Sequence, residues 1–371
     1  MACVGISACL YPHIYMFVSG VTVSEKIEKL KKYVRSRIYY RFANYRYPSA
    51  QAVSGRDMNN YFGQVAACYA TLTNSFEYYR RLIDSLLSEK GVKLLPLCEL
   101  MSAPAEGKRV IGLRHDVDAD PITALRCARH LARMGVGGSF YLLHTAPYYG
   151  DFYGEHFLRN PQLTEWVLGF LIAGCELGIH NDCLRIYIDR GINGAEALKQ
   201  ELIWLRGIGA HIKGTVAHNS GPIYGAENSE IFSGRVLWRR TVRTKGGKSV
   251  PLGCITERDV KLTYEGSFAK KKTVINEPEA RKFFSNGKDV DVRSESWMKR
   301  YLLENPCLDW ETDYQFWLVG RDTWVVSGKC GGNVFFVWNV GINRVLEIVR
   351  GLPEGSRSVM IVHPEYVRGE G

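Results

Sequence analysis

Two aspartates at the end of an apolar run are the residues of this chain best suited to chemistry. Asp116 and Asp118 follow the strand-like run 109–114 and are spaced two residues apart. In a β-strand that spacing directs both side chains to the same face. Paired carboxylates can divide their work, because one can bind a metal ion while the other stays free to accept a proton. The pattern therefore predicts part of a hydrolytic metal site.

Histidines end three later apolar runs in the same way. His180, His218 and His363 each follow a short apolar segment and precede polar or turn-forming residues. One histidine at a strand end indicates little, but three of them after an Asp-x-Asp strand end favour a shared site. A catalytic zinc ion takes about three protein ligands and keeps one position open for water. We expect the aspartates and histidines to meet around such an ion.

Alternating strands and helices from about residue 108 onward must position these side chains. The strand candidates are 109–114, 138–143, 175–180, 212–218, 316–326, 333–339 and 358–363, and the helix candidates are 121–134, 162–173, 194–207 and 342–351. Such alternation is typical of parallel strands covered by helices. Every candidate side chain follows the carboxyl end of a strand, which is where (β/α) barrels place their sites. The pattern favours an α/β fold of the barrel type.

The pattern of apolar and polar residues divides the chain into two parts. Residues 1–105 predict a mostly helical N-terminal extension, in which 62–89 has apolar residues at helical spacing. Residues 106–371 predict the barrel, and the weaker pattern at about 222–308 predicts an insertion over its mouth. The apolar segment 1–20 lacks a basic leading region, so we expect neither a cleaved signal peptide nor a membrane anchor there.

Charge and cysteine content narrow the function classes. The net charge of +10 suits an anionic glycan, a nucleic acid or a membrane surface, although a solvated basic surface gives the same value. The cysteines are scattered without a Cys-x-x-Cys pair, which favours a reducing compartment and argues against a cysteine zinc site. No 20-residue run is free of polar residues, so no membrane span is expected. We expect a cytoplasmic protein, and nucleic-acid binding through the basic segment 26–45 is only a weak alternative.

The segments around these candidates resemble motifs of a known enzyme family. Leu113-Arg-His-Asp-Val-Asp118 is similar to the first motif of the polysaccharide deacetylases (carbohydrate esterase family 4), in its His-Asp-Val-Asp variant. The segment 135–141 resembles the second strand of that fold, and 174–180 resembles the strand that carries a metal histidine. The segment 360–365 resembles the final motif, with its catalytic histidine. The resemblance covers roughly 79–220 and 355–367.

This resemblance implies a distorted (β/α) barrel and the metal-dependent removal of an N-acetyl group from a sugar or glycan precursor. Asp116 corresponds to the catalytic base and His363 to the general acid, while Asp118 and His180 correspond to metal ligands. The implied cofactor is a divalent metal ion, with zinc expected and cobalt, manganese or iron left open. The implied partner is a carbohydrate substrate in glycan biosynthesis.

The chain departs from the family at one position. The family has a second metal histidine four residues after the first, but position 184 is Leu. His218 is the expected replacement, because it ends the next strand, and Asp182 is the alternative, because it lies two residues after His180. If neither binds a metal ion, the chain would be a catalytically inactive barrel that binds carbohydrate or another anionic ligand.

Overall fold

A computed structural model describes most of the chain from residue 58 onward. The described residues are 58–100, 102–105, 107–153, 156–218, 228–231, 241–243, 249–251, 260–266, 291–292, 314–330 and 333–369. The predicted basic helix at 26–45 and most of the predicted insertion at 222–308 lie outside these residues.

Helices and strands alternate through this part of the chain. The α-helices are α1 (Met58–Tyr69), α2 (Phe76–Ser88), α3 (Leu97–Leu100), α4 (Pro121–Arg133), α5 (Leu163–Ile172), α6 (Cys183–Arg190), α7 (Gly194–Gly207) and α8 (Ile342–Gly351). The strands in the first half are β1 (Val92–Leu95), β2 (Arg109–Val117), β3 (Ser139–Leu143), β4 (Gly150–Tyr153), β5 (His156–Arg159), β6 (Glu176–Asn181) and β7 (Gly214–Ala217). The later strands are β8 (Thr241–Arg243), β9 (Ser249–Pro251), β10 (Tyr264–Glu265), β11 (Asp291–Val292), β12 (Tyr314–Gly320), β13 (Thr323–Cys330), β14 (Asn333–Val340) and β15 (Arg357–Val362). Two 3₁₀ helices, Asn228–Ile231 and Pro364–Val367, complete the set in the described residues.

Eleven of these strands form one sheet that curls into a half-barrel. Its order is β10-β7-β6-β3-β2-β15-β12-β13-β14-β11, and β1 also pairs with β2. In this order, all neighbouring strands between β10 at one end and β12 pair in parallel. From β12 through β13 and β14 to β11, neighbouring strands pair antiparallel. Among the described residues the end strands β10 and β11 are not paired with each other. The mixed α/β class is therefore confirmed, in the form of a curled half-barrel.

Strand β2 lies at the centre of the parallel part and carries the Asp-x-Asp pair at its end. Its residues from 110 to 117 are all buried, as expected for a parallel strand covered on both faces. In the register, Arg114 pairs with Ser139 of β3, and Asp116 pairs with Tyr141. Because side chains alternate along a strand, Arg114 and Asp116 share one face, and His115 points to the other.

Apolar cores lie on both faces of the sheet. The larger core packs the sheet against the helices and includes side chains of α1 and α2, so this part of the N-terminal extension shares the main core. The smaller core fills the inside of the half-barrel, where Leu97 and Leu100 of α3 pack against Tyr141 and Tyr264. A Cβ atom at Gly178 would collide with the ring of Tyr141, so this glycine makes room for the ring. The hydroxyl groups of Tyr141 and Tyr264 are hydrogen-bonded to each other.

Most of the predicted elements of the second part are present. The helices predicted at 121–134, 162–173, 194–207 and 342–351 are confirmed to within one residue at each end. Asp120 caps α4, because its carboxylate accepts a hydrogen bond from the backbone N–H of Thr123. Residues 264–265, inside the predicted insertion, form β10 and pair with β7. No helix in the described residues combines the length and apolarity needed to cross a membrane.

Two predicted elements are wrong because turns interrupt them. The single strand predicted at 316–326 is the hairpin of β12 and β13, which turns at Arg321 and Asp322. Asp322 adopts a positive φ of 41°, a conformation that Asp tolerates in tight turns. The single helical stretch predicted at 62–89 is broken between α1 and α2. Ser75 starts α2 as an N-cap, with its side chain accepting from the N–H of Tyr78.

His115 is a structural residue on the helix-covered face of β2. Its ring stacks on Phe140, with centroids 4.2 Å apart and planes 9° from parallel. Its Nε2 lies 2.9 Å from the hydroxyl of Tyr79, and its Nδ1 lies 3.1 Å from the carbonyl oxygen of Ser139. Burial lowers the pKa of His115 to about 4. The ring is therefore neutral in the folded protein near neutral pH.

The low pKa of His115 predicts a loss of stability in acid. The pKa of an unfolded-chain histidine is about 6.5, so below that pH the unfolded state binds more protons than the folded state. The free energy of unfolding should fall as the pH falls from about 6.5 toward about 4, by up to about 3 kcal/mol from this residue. When it is measured by denaturant unfolding across this pH range, the free energy of unfolding should change less with pH in His115→Gln than in the wild type. The exposed His211 gives the control His211→Gln, and an equal slope in both variants would contradict the prediction.

Candidate metal and acid–base site

A buried ion pair fixes the first carboxylate of the site. Asp116 is only 3% exposed, and both of its carboxylate oxygens accept hydrogen bonds from Arg114. Arg114 Nε donates to Oδ1 over 2.7 Å, and Nη2 donates to Oδ2 over 2.6 Å. Arg114 also donates from Nη1 to the carbonyl oxygen of Gly266, 3.2 Å away. The bidentate geometry holds the carboxylate in one orientation.

The charges around Asp116 decide its protonation state. Burial alone would raise the pKa of Asp116, but the guanidinium of Arg114 holds that pKa well below its usual range. Asp116 is therefore ionised near neutral pH. Its Oδ2 lies 3.7 Å from Nε2 of His180 and 4.0 Å from Nε2 of His363, so this oxygen faces both histidines.

Asp118, His180 and His218 form a group that could hold a metal ion. One ligand atom from each lies within 4.8 Å of the others. Asp118 Oδ1 lies 3.4 Å from Nε2 of His180. This oxygen is buried and accepts no hydrogen bond from the described residues. A buried carboxylate oxygen without a donor is unfavourable unless a cation lies beside it, so the donor set fits a divalent metal ion.

The hydrogen bonding of His180 leaves one ring nitrogen free for a metal ion. Its Nδ1 lies 3.0 Å from the carbonyl oxygen of Val216, which pairs with His180 in the β6–β7 ladder. A carbonyl oxygen only accepts, so Nδ1 carries the hydrogen and Nε2 presents its lone pair toward Asp118. Burial lowers the pKa of His180 despite the nearby Asp116 and Asp118. The ring is thus neutral, as a metal ligand must be.

His218 brings a second histidine from the next strand. Its backbone N–H donates to the carbonyl oxygen of Asn181 over 2.8 Å, which continues the β6–β7 pairing. The rings of His218 and His180 meet edge to face, with centroids 5.1 Å apart. Nδ1 of His218 lies 3.4 Å from Oδ2 of Asp182, a contact looser than a regular hydrogen bond. Burial lowers the pKa of His218, but the charge of Asp182 outweighs this and leaves the pKa raised.

The structure places the two remaining residues of this region outside the metal group. Asp182, the alternative ligand, lies beside His218 and accepts hydrogen bonds from Thr145 Oγ1 over 2.9 Å and Asn228 Nδ2 over 3.1 Å. Leu184 lies at the position where the resembled family has a second histidine, and its side chain is fully buried in the larger apolar core. His218, which follows the next strand, joins Asp118 and His180 in the group that could hold a metal ion.

His363 lies directly after β15 and faces both aspartates. Its Nε2 lies 3.9 Å from Oδ2 of Asp118 and 4.0 Å from Oδ2 of Asp116. Its side chain is 25% exposed, whereas that of Asp116 is 4% exposed. His363 is thus the member of the site most open to a ligand arriving from solvent, and it lies close enough to share a bound molecule with the carboxylates.

Tyrosines from two other segments hold the backbone on either side of Asp118. The carbonyl oxygen of Val117 accepts a hydrogen bond from the hydroxyl of Tyr148 over 2.7 Å. The carbonyl oxygen of Ala119 accepts one from the hydroxyl of Tyr61 in α1 over 2.9 Å. Both hydroxyl groups are buried, so these bonds form away from water. The N-terminal extension therefore contributes a contact that positions Asp118.

Glu365 connects the segment after Asp118 to the segment after His363. Its Oε1 accepts from the backbone N–H groups of Ala119 and Asp120, the latter over 2.9 Å. Burial, followed by the charge of Asp118, raises the pKa of Glu365 well above its usual range. Because Glu365 lies two residues after His363, this contact joins the two strand ends that carry the acid–base candidates.

The sequence patterns identified the three residues whose ligand atoms converge but missed several residues that position them. Arg114 had a signal, since it lies two residues before Asp116 and so shares its strand face. Glu365 lies in the segment 360–365, but nothing in the sequence predicts that its carboxylate accepts hydrogen bonds from the backbone of another loop. Tyr61 and Tyr148 carried no signal, because their partners are backbone carbonyl groups distant in the chain.

The contact of Tyr61 predicts a measurable effect on metal binding. Tyr61→Phe removes one buried hydrogen bond and should lower the free energy of unfolding by about 1 kcal/mol. It should also weaken the binding of Co²⁺ several-fold, because the loop that carries Asp118 loses one anchor. The control is Tyr78→Phe, whose hydroxyl group bonds to Asp322 and Trp324 away from the site. Equal cobalt affinity in wild type and Tyr61→Phe would contradict the prediction.

No family model, curated protein or solved structure matches the chain. The short motifs of the sequence and the geometry of Asp116, Asp118, His180, His218 and His363 are therefore the basis on which a function is proposed.

Proposed function

We propose that the protein is a metal-dependent hydrolase that removes an N-acetyl group from a sugar or glycan precursor, on a barrel of the polysaccharide deacetylase type. One observation carries the proposal. Ligand atoms of Asp118, His180 and His218 converge within 4.8 Å beside Asp116 and His363, which are outside that group. Three metal ligands with a separate carboxylate and a separate histidine make up the set of groups that amide hydrolysis requires.

The donor set supports a divalent metal ion of the zinc type. Two imidazoles and one carboxylate suit zinc, and they also suit cobalt, manganese or iron. A metal ion held by Asp118, His180 and His218 would polarise the acyl carbonyl group and lower the pKa of an attacking water molecule. Because such an ion would have only three protein ligands, it would keep a coordination position open for the carbonyl group and the water molecule.

The remaining residues have distinct roles in proton transfer. Asp116 accepts a proton from the attacking water at Oδ2, the oxygen that faces the site, while Arg114 keeps the carboxylate ionised and oriented. His363 donates a proton to the departing amine nitrogen. The oxygen of water bonds to the acyl carbon and the carbon–nitrogen bond breaks, so that acetate and a free amine form.

The substrate class rests on the motifs and on charge. The motif segments 113–118, 174–180 and 360–365 resemble deacetylases that act on N-acetylated sugars. The net charge of +10 suits a glycan or precursor that carries negative charge. We assign the activity to glycan biosynthesis in the cytoplasm as part of the same proposal.

The metal content of the purified protein is the first test. Elemental mass spectrometry of the wild type should show near-stoichiometric metal, and His180→Ala and His218→Ala should each lose it. Wild-type protein should release acetate from at least one compound in a panel of N-acetylated sugars, and a chelator should stop this release reversibly. Wild-type protein that takes up no metal even after supplementation would contradict the proposal.

Asp116→Asn separates acid–base chemistry from metal binding. Because Asp116 is not among the three ligands, the variant should retain its metal. Acetate release should fall about 100-fold or more, because the group that accepts the proton is lost. Asp84→Asn, on the partly exposed face of α2, is the control and should retain full activity. Metal-loaded wild type that binds sugars without releasing acetate would instead support an inactive carbohydrate-binding barrel.

A further inference from the structure

We propose that Asp182 is a positioning residue that makes His218 a metal ligand, an inference that rests on the metal site proposed above. Asp182 directly follows β6, two residues after His180, and it is 1% exposed. Its Oδ2 lies 3.4 Å from Nδ1 of His218. The two residues come from neighbouring parallel strands, so their side chains meet where both strands end.

The carboxylate of Asp182 is held in place without help from His218. Thr145 Oγ1 donates to Oδ2 over 2.9 Å, and Asn228 Nδ2 donates to Oδ1 over 3.1 Å. The backbone N–H of Asp182 donates to Nε2 of His144 over 2.8 Å. Contacts from two segments, at residues 144–145 and at Asn228, therefore fix both the backbone and the side chain of Asp182, and its carboxylate offers His218 an acceptor that is already in place.

This acceptor selects which nitrogen of His218 faces the ligand group. A carboxylate beside Nδ1 favours the tautomer with hydrogen on Nδ1, which leaves the lone pair on Nε2. His180 reaches the same state through the carbonyl oxygen of Val216, inside the strand ladder. His218 lies just beyond the last residue of β7, where no ladder carbonyl is available to its ring among the described contacts. Asp182 provides the partner that the ladder provides for His180.

Asn228 strengthens this arrangement from a distant part of the chain. Its Nδ2 donates to Oδ1 of Asp182 and also to the carbonyl oxygen of His218, the latter over 2.8 Å. Its Oδ1 accepts from the backbone N–H of Leu184 over 2.8 Å. The side chain of Asn228 therefore bonds to Asp182, to the backbone of His218 and to the backbone of Leu184.

A direct metal-ligand role for Asp182 fits the contacts less well. Both of its oxygens accept hydrogen bonds from neutral donors, whereas Oδ1 of Asp118 has none in the described residues. The group with converging ligand atoms contains Asp118, His180 and His218 and omits Asp182. Carboxylate partners of metal-bound histidines commonly change metal affinity by about 10–100-fold when removed, which is the effect expected here.

The test measures cobalt binding rather than turnover. Metal-free wild type, Asp182→Ala and Asp182→Asn are titrated with Co²⁺, and the visible absorption of the bound ion is recorded together with its affinity. Asp182→Ala should bind Co²⁺ about 10–100-fold more weakly and show an altered spectrum. Asp182→Asn retains an acceptor oxygen and should restore part of the affinity and the wild-type spectrum. If Asp182→Ala fails to fold, the comparison of Asp182→Asn with wild type carries the test.

Glu201→Ala is the matched control for loss of a buried carboxylate. Glu201 is 5% exposed and accepts hydrogen bonds from Arg159 and Tyr149, in a cluster separate from the metal group. Its removal should lower thermal stability but leave cobalt affinity and spectrum unchanged. A purely structural role for Asp182 would make the two alanine variants behave alike.

The outcomes separate this inference from the proposed function. Wild type that binds no cobalt would overturn the metal site itself. Wild type that binds cobalt, together with unchanged affinity and spectrum in Asp182→Ala, would overturn the positioning role alone. Loss in Asp182→Ala equal to that in His218→Ala, without rescue in Asp182→Asn, would also overturn it, because it would make Asp182 a direct ligand. Weakened binding with partial rescue by Asn supports the inference.

Discussion

The parallel pairing of β2, β3, β6 and β7 is the constraint on which the site depends. The carboxyl ends of parallel strands lie at the same edge of a sheet, so residues that follow different strands lie close together there. The register pairs His180 with Val216, and the carbonyl oxygen of Val216 then accepts from the ring of His180. The ladder that stabilises the sheet thus also sets the tautomer of His180, and a shift of β7 by one residue would turn His218 to the opposite face.

Burial of charge at this edge is balanced in two different ways. Asp116 is neutralised within the protein by the bidentate guanidinium of Arg114, so its charge is stable in an apolar surrounding. Asp118 has no such partner, since its Oδ1 accepts no hydrogen bond in the described structure. The ring of His180, whose pKa is lowered by burial, offers a lone pair rather than a positive charge. A divalent cation would balance the charge of Asp118, whereas Arg114 already balances the charge of Asp116. The two aspartates therefore suit different roles.

The sequence predicted the parts of this arrangement that follow from short periodic patterns. Strand-end positions identified Asp116, His180 and His363, because a two-residue alternation and a break after an apolar run are visible locally. The hairpin at 321–322 and the break before Ser75 were missed, because single turn residues decide them and apolar runs continue on both sides. The antiparallel pairing of the strands after β12 was also missed, since pairing partners are not encoded in local periodicity.

The positioning contacts were beyond prediction for a stronger reason. Tyr61 reaches the carbonyl oxygen of Ala119 across 58 residues of chain, and Asn228 reaches Asp182 across 46. Such contacts need only a donor of the right length at the right place, and many residues could supply one, so no motif marks them. The same freedom applies to the histidines of the group that could hold a metal ion. The side chain of Leu184 lies in the apolar core, whereas His218, which follows β7, joins Asp118 and His180 at the sheet edge. Because His218 lies beyond the ladder, the carboxylate of Asp182 lies beside its ring, whereas the backbone carbonyl group of Val216 lies beside the ring of His180.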